Sequence, residues 1–438
     1  MKVFEDAARV LGGTPVDADT ASEVTALLSQ LGFKPPPGND SHLTAVFAAA
    51  ARMSRIFELR SHCAPGLACI GGTADPPSYG MHLAGYPPAD VSGRGSTMAQ
   101  AFRSCVGEAI EYLSLLAWGD ESVVEVSHGA CFGGMRGETA AVIEGLLASA
   151  GHGNADRIAA VRMRSIVGGR EAFLPAALAH RSGEPSTSNL VSRTGCAAGP
   201  TIEQASLSAL LELIERDAAA LWWLGGRQPH AVSTEVVASN AVADLTIKLR
   251  AGATGRRTSL LDITTDLGVP CVAAVSTNRE GRDFACGLAA RVSLEGATCS
   301  ALLEMCQMEL ANHLVHEKLK HSGVNALTPT DRRHKLRFDS IIPEACGSLF
   351  AVLPPVACDL PLQMDASGEL KWVAGKLEDR QIECFALDLT RSEIGVPCAR
   401  AFAPALQPLQ AASESQRLAR TILETGGSSP YAVGIPLL

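Results

Sequence analysis

Three stretches of the sequence place a serine ahead of two polar residues at the same spacings, a pattern written Ser-x3-Glu-x2-Glu/Gln. On an α-helix, positions i, i+4 and i+7 lie along one stripe, so each stretch predicts a helix with a polar stripe. The residues beside these positions are largely leucine, isoleucine and valine, which is not typical of a solvated helix face. The copies are Ser104, Glu108 and Glu111, then Ser208, Glu212 and Glu215, then Ser300, Glu304 and Gln307.

The acids of these stripes point to metal chemistry. Carboxylates that converge in a protein interior repel one another and lose hydration unless cations neutralise them. Oxygen ligands of this kind suit Mg²⁺ or Mn²⁺, and Mg²⁺ held by carboxylates usually bridges to nucleotide phosphates. Arg216, directly after Glu215, and Arg94, in the turn before the first helix, would supply positive charge for phosphate. The predicted metal ligands are Glu108, Glu111, Glu212, Glu215 and Glu304.

Two other interpretations compete for the same residues. A surface helix with a salt-bridged Glu pair explains any single copy, but three copies with matched spacing favour a shared site. A di-iron carboxylate bundle also places Glu on facing helices, but it requires Glu-x-x-His. The third residue after the first acid is Glu111, Glu215 or Gln307 here, never histidine. The Gly-x4-Gly-Lys-Ser/Thr phosphate loop is absent from the sequence.

The helices that carry the first two stripes belong to an internal repeat. Residues 95–104 and 199–208 match at Gly, Thr, Gln, Ala and Ser with a constant offset. In both copies Thr-x-x-Gln has the form of a capping box, with Thr97 and Gln100 in the first and Thr201 and Gln204 in the second. Each helix is therefore predicted to begin just after a glycine, whereas the third copy has no clear cap.

A second repeat predicts paired strands. Leu-Asp-x-Thr followed by Gly-Val-Pro-Cys occurs at residues 261–271 and again at 387–398, with one more turn residue in the later copy. Each copy predicts a strand, a tight Asp/Thr turn and a second strand. Paired strands that alternate with long helices indicate an α/β or α+β fold, an internally duplicated sheet with helices packed on it.

Composition and a Pro/Gly run predict the domain organisation. The 438 residues are 47% hydrophobic and 19% charged, which is typical of a globular protein. The run Pro35-Pro36-Pro37-Gly38 predicts a boundary between an N-terminal helical extension (1–40) and a main catalytic domain (41–438). Most of the 13 cysteines are interpreted as small buried residues, with Cys63 and Cys69 as the pair to watch.

Charge and hydropathy exclude several classes of protein. The net charge of −9, without a dense Lys/Arg run, argues against a nucleic-acid partner. We find no apolar run long enough to span a membrane and no signal peptide at the N-terminus, so a cytoplasmic protein is expected.

At these residues the sequence resembles the YcaO family. The resemblance lies in Ser104-x3-Glu108-x2-Glu111, in Thr-Gly-Cys-Ala-Ala-Gly (194–199) leading to Leu-Glu-Leu-Ile-Glu-Arg-Asp-Ala (211–218), and in Glu304-x-x-Gln307. It extends from about residue 53 to about residue 405. The Asp-x-Thr and Gly-Val-Pro strands resemble those of members that act on peptides.

The resemblance implies a mechanism and a set of site residues. A Cys, Ser or Thr side chain of a ribosomally made precursor peptide attacks a backbone carbonyl, ATP phosphorylates the oxyanion, and phosphate leaves to give an azoline. Related members use sulfide and make a thioamide. Mg²⁺ would be held by the five acids given above, and no general acid or base is assigned. ATP contacts are implied for Arg94, Ser104, Glu108, Glu111, Thr194, Glu212, Glu215, Arg216, Glu304 and Gln307.

The chain departs from the family pattern at two places. The first signature usually ends Glu-Arg, whereas Tyr112 follows Glu111, so one phosphate contact is missing or supplied elsewhere. Azoline-forming relatives commonly end in a Pro-x-Pro-x-Pro tail, whereas residues 431–438 read Tyr-Ala-Val-Gly-Ile-Pro-Leu-Leu. These departures leave thioamide formation and a non-catalytic peptide-binding scaffold as alternatives.

The resemblance also implies partners. The expected assembly for azole-modified peptides such as bacteriocins contains the precursor peptide, an E1-like leader-binding protein with a precursor-recognition element, and an FMN-dependent dehydrogenase. The chain itself is expected to form a homodimer within this hetero-complex.

Overall fold

The computed structural model describes residues 1–34, 40–132, 134–149, 156–182, 191–342, 353–356, 364–409, 414–428 and 435–437. The helices are α1 (Lys2–Leu11), α2 (Ala18–Gln30), α3 (Ser41–Ala51), α4 (Met98–Leu115), α5 (His128–Phe132), α6 (Gly137–Ser149), α7 (Ala176–Ala179), α8 (Ile202–Trp223), α9 (Thr234–Val237), α10 (Asn240–Arg250), α11 (Leu294–Ser322), α12 (Pro329–Ser340), α13 (Ala366–Glu378) and α14 (Gln416–Thr425). The strands are β1 (Arg55–Leu59), β2 (Ala68–Ala74), β3 (Ala89–Gly95), β4 (Val123–Ser127), β5 (Arg157–Ser165), β6 (Glu171–Pro175), β7 (Cys196–Ala198), β8 (His230–Ala231), β9 (Arg256–Asp262), β10 (Cys271–Asn278), β11 (Ala285–Ala290), β12 (Phe385–Asp388) and β13 (Cys398–Phe402).

The chain forms two compact units. The first unit comprises Met1–Leu59, Ala68–Leu210 and Met364–Ala405, and the second comprises Arg60–Leu67, Leu211–Gln363 and Leu406–Leu438. Helix α8 begins in the first unit and ends in the second.

The first unit contains two antiparallel sheets. One has the strand order β1-β2-β3, and the other has the order β4-β5-β12-β13-β7 with β6 paired to β5. Helix α4 packs on β2 and β3. The approach is close at Gly93 of β3, where a Cβ atom would overlap the carbonyl oxygen of Ala101 and the amide nitrogen of Cys105. A glycine at this position therefore lets the first striped helix lie directly on its sheet.

The N-terminal helices share a core with α4. Phe4 of α1 stacks on Phe102 of α4 with ring centroids 5.7 Å apart, and Phe47 of α3 lies 4.9 Å from the same ring. Leu11 and Val24, from α1 and α2, are buried in this cluster as well. The boundary expected at residue 40 stays a prediction, and the Pro/Gly run at 35–38 lies outside the described residues.

The second unit has one antiparallel sheet of order β11-β10-β9-β8. Strands β10 and β11 of this sheet are buried and rich in small residues such as Ala273, Ala274 and Ala289. Helix α11 packs on β10 and β11, and a Cβ atom on Gly287 of β11 would overlap its backbone at Ala301 and Met305. The third striped helix therefore also lies directly on a sheet.

The second sequence repeat forms the same turn in both units. Asp262 Oδ1 accepts a hydrogen bond from the N–H of Thr264 at 2.9 Å. The hydroxyl of Thr264 accepts one from the N–H of Cys271 at 3.0 Å. Asp388 and Thr390 make the corresponding bonds at 2.9 and 3.1 Å. The predicted strand–turn–strand units are confirmed, and with them the internally duplicated α+β fold.

Several large or reactive side chains are buried. Trp222 and Trp223, at the end of α8, are each 1% exposed. Most cysteines of the described ranges are buried, while Cys63 and Cys69 are both free thiols. No helix in the described part of the chain has the length and apolar character needed to cross a membrane.

Candidate functional site

The first polar stripe lies on α4 as predicted. Thr97 caps the helix by accepting a hydrogen bond from the N–H of Gln100 (3.3 Å), and the side chain of Gln100 accepts one from the N–H of Ser96 (2.9 Å). A capping box would bond the side chain of Gln100 to the N–H of Thr97, whereas here it bonds the N–H of the preceding residue, Ser96. Ser104 is exposed, and Glu108 and Glu111 are half-buried between the buried flanks of the helix.

Backbone N–H groups hold both acids of this stripe. The N–H of Ser92, in β3, donates to Glu108 Oε2 at 2.9 Å, and the N–H of Ala198, in β7, donates to Glu111 Oε1 at 2.9 Å. Hydrogen bonds of this kind favour the ionised carboxylate and fix its direction. The sheet on one side and β7 on the other therefore position the two acids.

A cation that the sequence did not single out lies beside Glu108. The guanidinium of Arg193 stacks on the ring of Tyr112, 4.5 Å from its centroid, and its Nη1 lies 4.0 Å from Glu108 Oε1. The ring is fixed in turn, because the buried hydroxyl of Tyr112 donates to the carbonyl of Pro87 at 2.6 Å. The residue that breaks the family pattern is thus a platform for an arginine from another segment.

In the second unit, α8 carries an acid–arginine group made of buried Glu215 and half-buried Glu212 and Arg216. Arg216 lies 3.3 Å from Glu212 Oε1 and 3.2 Å from Glu215 Oε1. Glu215 is 7% exposed, and burial raises its pKa to about 7, with a further increase from Glu304 and Glu212. Burial opposes ionisation of Arg216, but the charges of Glu215, Glu212 and Glu304 raise its pKa above the ordinary value.

Helix α11 brings the third stripe to this group. Glu304 is half-buried and close enough to Glu215 to raise its pKa, and Gln307 is buried one turn further along. Arg291, just after β11, opposes that rise as a second positive charge that the sequence did not predict. The helix is capped by Ser293, so Ser300 lies well inside it.

The other predicted residues lie in the first unit. Arg94 is half-buried in β3, opposite Cys69 of β2. Thr194 is half-buried beside Arg193, and its N–H donates to the hydroxyl of Ser192 at 3.1 Å. Their roles toward a nucleotide stay predictions.

An ion pair behind the acidic face of α8 was missed as well. Asp217 is fully buried, and Arg417 of α14 donates to both of its carboxylate oxygens, at 2.9 Å for the closest contact. The N–H of Gln407 adds a third hydrogen bond at 2.9 Å. Asp217, within the run 211–218 that resembles the family, therefore anchors the helix that presents Glu215 and Arg216.

The tail that departs from the family pattern is held in the second unit where it is described. The indole N–H of Trp223 donates to the carbonyl of Ile435 at 2.9 Å, and Arg337 donates to the carbonyl of Leu437 at 3.1 Å. Ile435 and Leu437 are buried.

The residues of α8 fit a divalent cation and a phosphate. Within the described ranges, no three His, Cys, Asp or Glu side chains are grouped so that they could hold a metal ion. Mg²⁺ is usually held by one or two carboxylates together with nucleotide phosphates and water. The buried Nη1 of Arg216 has no hydrogen-bond acceptor among the described residues, although Glu215 is near. A phosphate oxygen would satisfy it, and a cation would favour the ionised form of Glu215.

Comparison with known proteins places the chain in a family. The model of the family described as YcaO cyclodehydratase, ATP- and Mg²⁺-binding, matches residues 92–407. An uncharacterized protein of Methanothermobacter thermautotrophicus is 29% identical over 219 residues, which are 49% of this chain and 55% of that protein.

Solved structures share the fold. A heterocyclase in complex with substrate and cofactor superposes with a TM-score of 0.64 at 21% identity, over 88% of this chain and 53% of the heterocyclase. YcaO from Methanopyrus kandleri bound with AMPPCP and Mg²⁺ gives 0.54 at 17% identity, over 81% and 86% of the two chains. A chain of the E. coli microcin synthetase McbBCD complex with pro-MccB17 bound gives 0.56 at 14% identity, over 86% and 96%.

This chain spans about half the length of the curated relative and of the heterocyclase that it matches. The likeness to the solved structures confirms the predicted fold class, and the family match confirms the resemblance stated from the sequence, together with the two cofactors, ATP and Mg²⁺. The chain belongs to the YcaO cyclodehydratase family.

Proposed function

We propose that this chain uses ATP and Mg²⁺ to activate backbone amides of a ribosomally made precursor peptide in the cytoplasm, and cyclodehydrates Cys, Ser or Thr residues to thiazolines or oxazolines. The observation that carries the proposal is the group of Glu212, Glu215 and Arg216 on α8, in which Glu215 is buried and both acids lie beside the guanidinium. An arginine fixed by two acids offers a planar cation to phosphate. The surplus of acids around Glu215 favours a bound divalent cation.

Each predicted residue has a place in this proposal. Arg216 binds phosphate oxygens through its unsatisfied Nη1, while Gln307, Ser104, Arg94 and Thr194 contact the nucleotide. The backbone donors at Ser92 and Ala198 fix the direction of the α4 carboxylates by hydrogen bonds. The predicted acids Glu108, Glu111, Glu212, Glu215 and Glu304 would hold Mg²⁺.

The chemistry divides between the nucleotide and the chain. ATP supplies the phosphoryl group that turns the amide oxygen into a leaving group, and Mg²⁺ neutralises the charge of the phosphates. The residues of the chain would bind and orient these groups, which is the main protein contribution to phosphoryl transfer. For each ring, the peptide loses the atoms of one water molecule and one ATP becomes ADP and phosphate.

Partner proteins belong to the same proposal. The similar E. coli chain was solved within a microcin synthetase complex with pro-MccB17 bound, which supports a peptide substrate and an assembly for the present chain. We expect an E1-like leader-binding protein, a homodimer of this chain within the complex, and an FMN-dependent dehydrogenase that oxidises azolines to azoles.

The test is a mass measurement on the reconstituted complex. With precursor peptide, partner, ATP and Mg²⁺, the peptide should lose the mass of one water per ring while ADP and phosphate form in equal amounts. Glu215→Gln should slow this reaction by at least about a hundredfold, since it removes an interaction worth several kcal/mol to phosphoryl transfer. Glu203→Gln, an exposed acid in the first turn of the same helix, is the matched control and should react at the wild-type rate.

Two other outcomes would contradict the proposal in different ways. If sulfide is required and the peptide gains the mass difference between sulfur and oxygen, the chain forms thioamides. If the peptide is bound without any change of mass and ATP is not consumed, the chain is a scaffold.

A further inference from the structure

The two copies of the first repeat differ just after their second acid. In α8 the residue after Glu215 is Arg216, whose guanidinium lies 3.3 Å from Glu212, the first acid of that copy. In α4 the equivalent residue is Tyr112, which carries no charge. The first copy therefore lacks an arginine of its own at this position of the helix.

A different segment places an arginine against the first acid of α4. Nη1 of Arg193 lies 4.0 Å from Glu108 Oε1, the acid equivalent to Glu212. In both copies a guanidinium thus lies beside the first carboxylate of Glu-x-x-Glu. In α8 it belongs to Arg216 of the same helix, and in α4 it belongs to Arg193 of another segment. The Arg193 side chain is 42% exposed and the Glu108 side chain 40% exposed, so a ligand can reach both.

The backbone that carries Arg193 is fixed by a turn. The N–H of Cys196 donates to the carbonyl of Arg193 at 3.2 Å, and Gly195 has a φ of 81°, as the third position of a type II turn requires. The carbonyl of Gly195 accepts a hydrogen bond from the N–H of Ala401 at 2.8 Å. The turn is therefore tied to the sheet that includes β7 and β13.

The side chain of Arg193 is directed by Tyr112. Its guanidinium lies over the ring at 4.5 Å, an arrangement that stabilises a cation and restricts its rotation. The ring cannot turn away without breaking the hydrogen bond of its hydroxyl to Pro87. At 4.0 Å from Glu108, the guanidinium is beyond hydrogen-bond distance of that acid, so this pair does not occupy its donors.

We propose that Arg193 contacts a phosphate group of the bound nucleotide, with Tyr112 as the positioning residue that holds it there. Arg193 would do for the α4 acids what Arg216 does for the α8 acids. The inference rests on the proposed Mg·ATP site, and it identifies where the contact missing after Glu111 is supplied.

The experiment measures nucleotide affinity by titration calorimetry, with ATP, ADP and adenosine as probes in the presence of Mg²⁺. Arg193→Gln should weaken ATP binding by about tenfold, because it removes a hydrogen bond between charged groups. Adenosine affinity should not change. Arg193→Lys should recover part of the loss, since it keeps the charge without the planar donor pair.

Matched variants test the positioning role of Tyr112. Tyr112→Phe keeps the ring but loses the hydrogen bond to Pro87, so it should weaken ATP binding less than Tyr112→Leu, which removes the platform and should weaken ATP binding by a few fold. Arg162→Gln, which changes an exposed arginine of β5, is the control for loss of one positive charge. The melting temperature of every variant shows whether it folds.

Each outcome separates this inference from the proposed function. If the wild type binds ATP and Arg193→Gln binds it equally well, the inference is wrong and the proposed function stands. If Arg193→Gln weakens adenosine as much as ATP, its role is structural and the inference is also wrong. If the wild type binds no nucleotide with Mg²⁺, both are overturned.

Discussion

The first and second copies of the acidic repeat solve the same electrostatic problem differently. On α4, Glu108 and Glu111 are half-buried and accept hydrogen bonds from backbone N–H groups of neighbouring strands. On α8, Glu215 is buried and is balanced by the adjacent Arg216, and its pKa rises to about 7. The second residue after the last acid of each copy differs too: it is Leu113 in the first copy and Asp217 in the second.

The difference shows where each copy obtains its charge balance. The second copy encodes its arginine and a buried anchoring acid within the helix, so that one run of eight residues carries both site and support. The first copy has two neutral buried residues there, Tyr112 and Leu113, and relies on Arg193 from a distant segment. A repeated motif can thus keep its geometry while its electrostatic partners move elsewhere in the chain.

The largest effect is expected at the anchor that only the second copy has. Arg417→Ala should lower the free energy of unfolding by about 3–5 kcal/mol, because it leaves the fully buried Asp217 without its ion-pair partner. Arg420→Ala on the same helix breaks an exposed pair with Glu424 and should cost at most about 0.5 kcal/mol. Urea unfolding of the two variants measures the difference, and equal values would show that Asp217 is no anchor.

A smaller loss of stability is expected in the two sheets on which α4 and α11 pack. Gly93→Ala and Gly287→Ala each place a Cβ atom inside the backbone of the helix above, and both should destabilise by about 1–3 kcal/mol. Gly375→Ala is the control, because no atom lies within 4 Å of its Cβ and helix propensity predicts a gain of up to about 1 kcal/mol. Thermal melting gives the comparison. A neutral result at one of the two glycines would mean that the duplicated packing is not equivalent.

The third prediction separates stability from activity at Glu215. Glu215→Gln should raise the free energy of unfolding of the ligand-free chain by about 0.5–2 kcal/mol, because a neutral amide relieves repulsion from Glu212 and Glu304. Glu108→Gln should not stabilise, since Glu108 is half-exposed and held by an N–H. Unfolding in a metal chelator is the measurement. Stabilisation of both variants, or of neither, would remove the proposed contrast between the copies.

The smallest effect concerns the Tyr112 platform. Tyr112→Phe should destabilise by about 1 kcal/mol, because the carbonyl of Pro87 loses its donor. Tyr79→Phe is the matched control: its buried hydroxyl has no hydrogen-bond partner among the described residues, so its removal should not lower stability. The two melting temperatures decide the matter, and an equal loss in both variants would contradict the role given to the Pro87 bond.

Local patterns were sufficient to predict much of the fold. The i, i+4, i+7 spacing placed Glu108 and Glu111 on one stripe because helical geometry depends on neighbours within two turns. The Asp-x-Thr turns were predictable for the same reason, since the bond between Asp262 and Thr264 spans two residues.

Contacts between distant segments could not be predicted in this way. Arg193 meets Tyr112 from 81 residues away, and Arg417 meets Asp217 from 200 residues away. No spacing rule links such residues, because the folded chain and not the local backbone brings them together. The cap of α11 was also unclear from the sequence, since Ser293 lies a full seven residues before Ser300.

The paired Asp/Thr turns have a practical consequence for engineering the protein. The threonine hydroxyl bonds the N–H of the returning strand across seven residues at Thr264 and across eight at Thr390. The side-chain bonds therefore close each loop at its base. The extra residue of the later copy lies within the loop and does not change the strand pairing, since Asp262 pairs with Val272 and Asp388 with Ala399. The loops at 265–268 and 391–395 are nevertheless poor points for inserting a fluorophore or affinity tag, because each carries buried side chains, Leu267 in the first and Arg391 and Ile394 in the second.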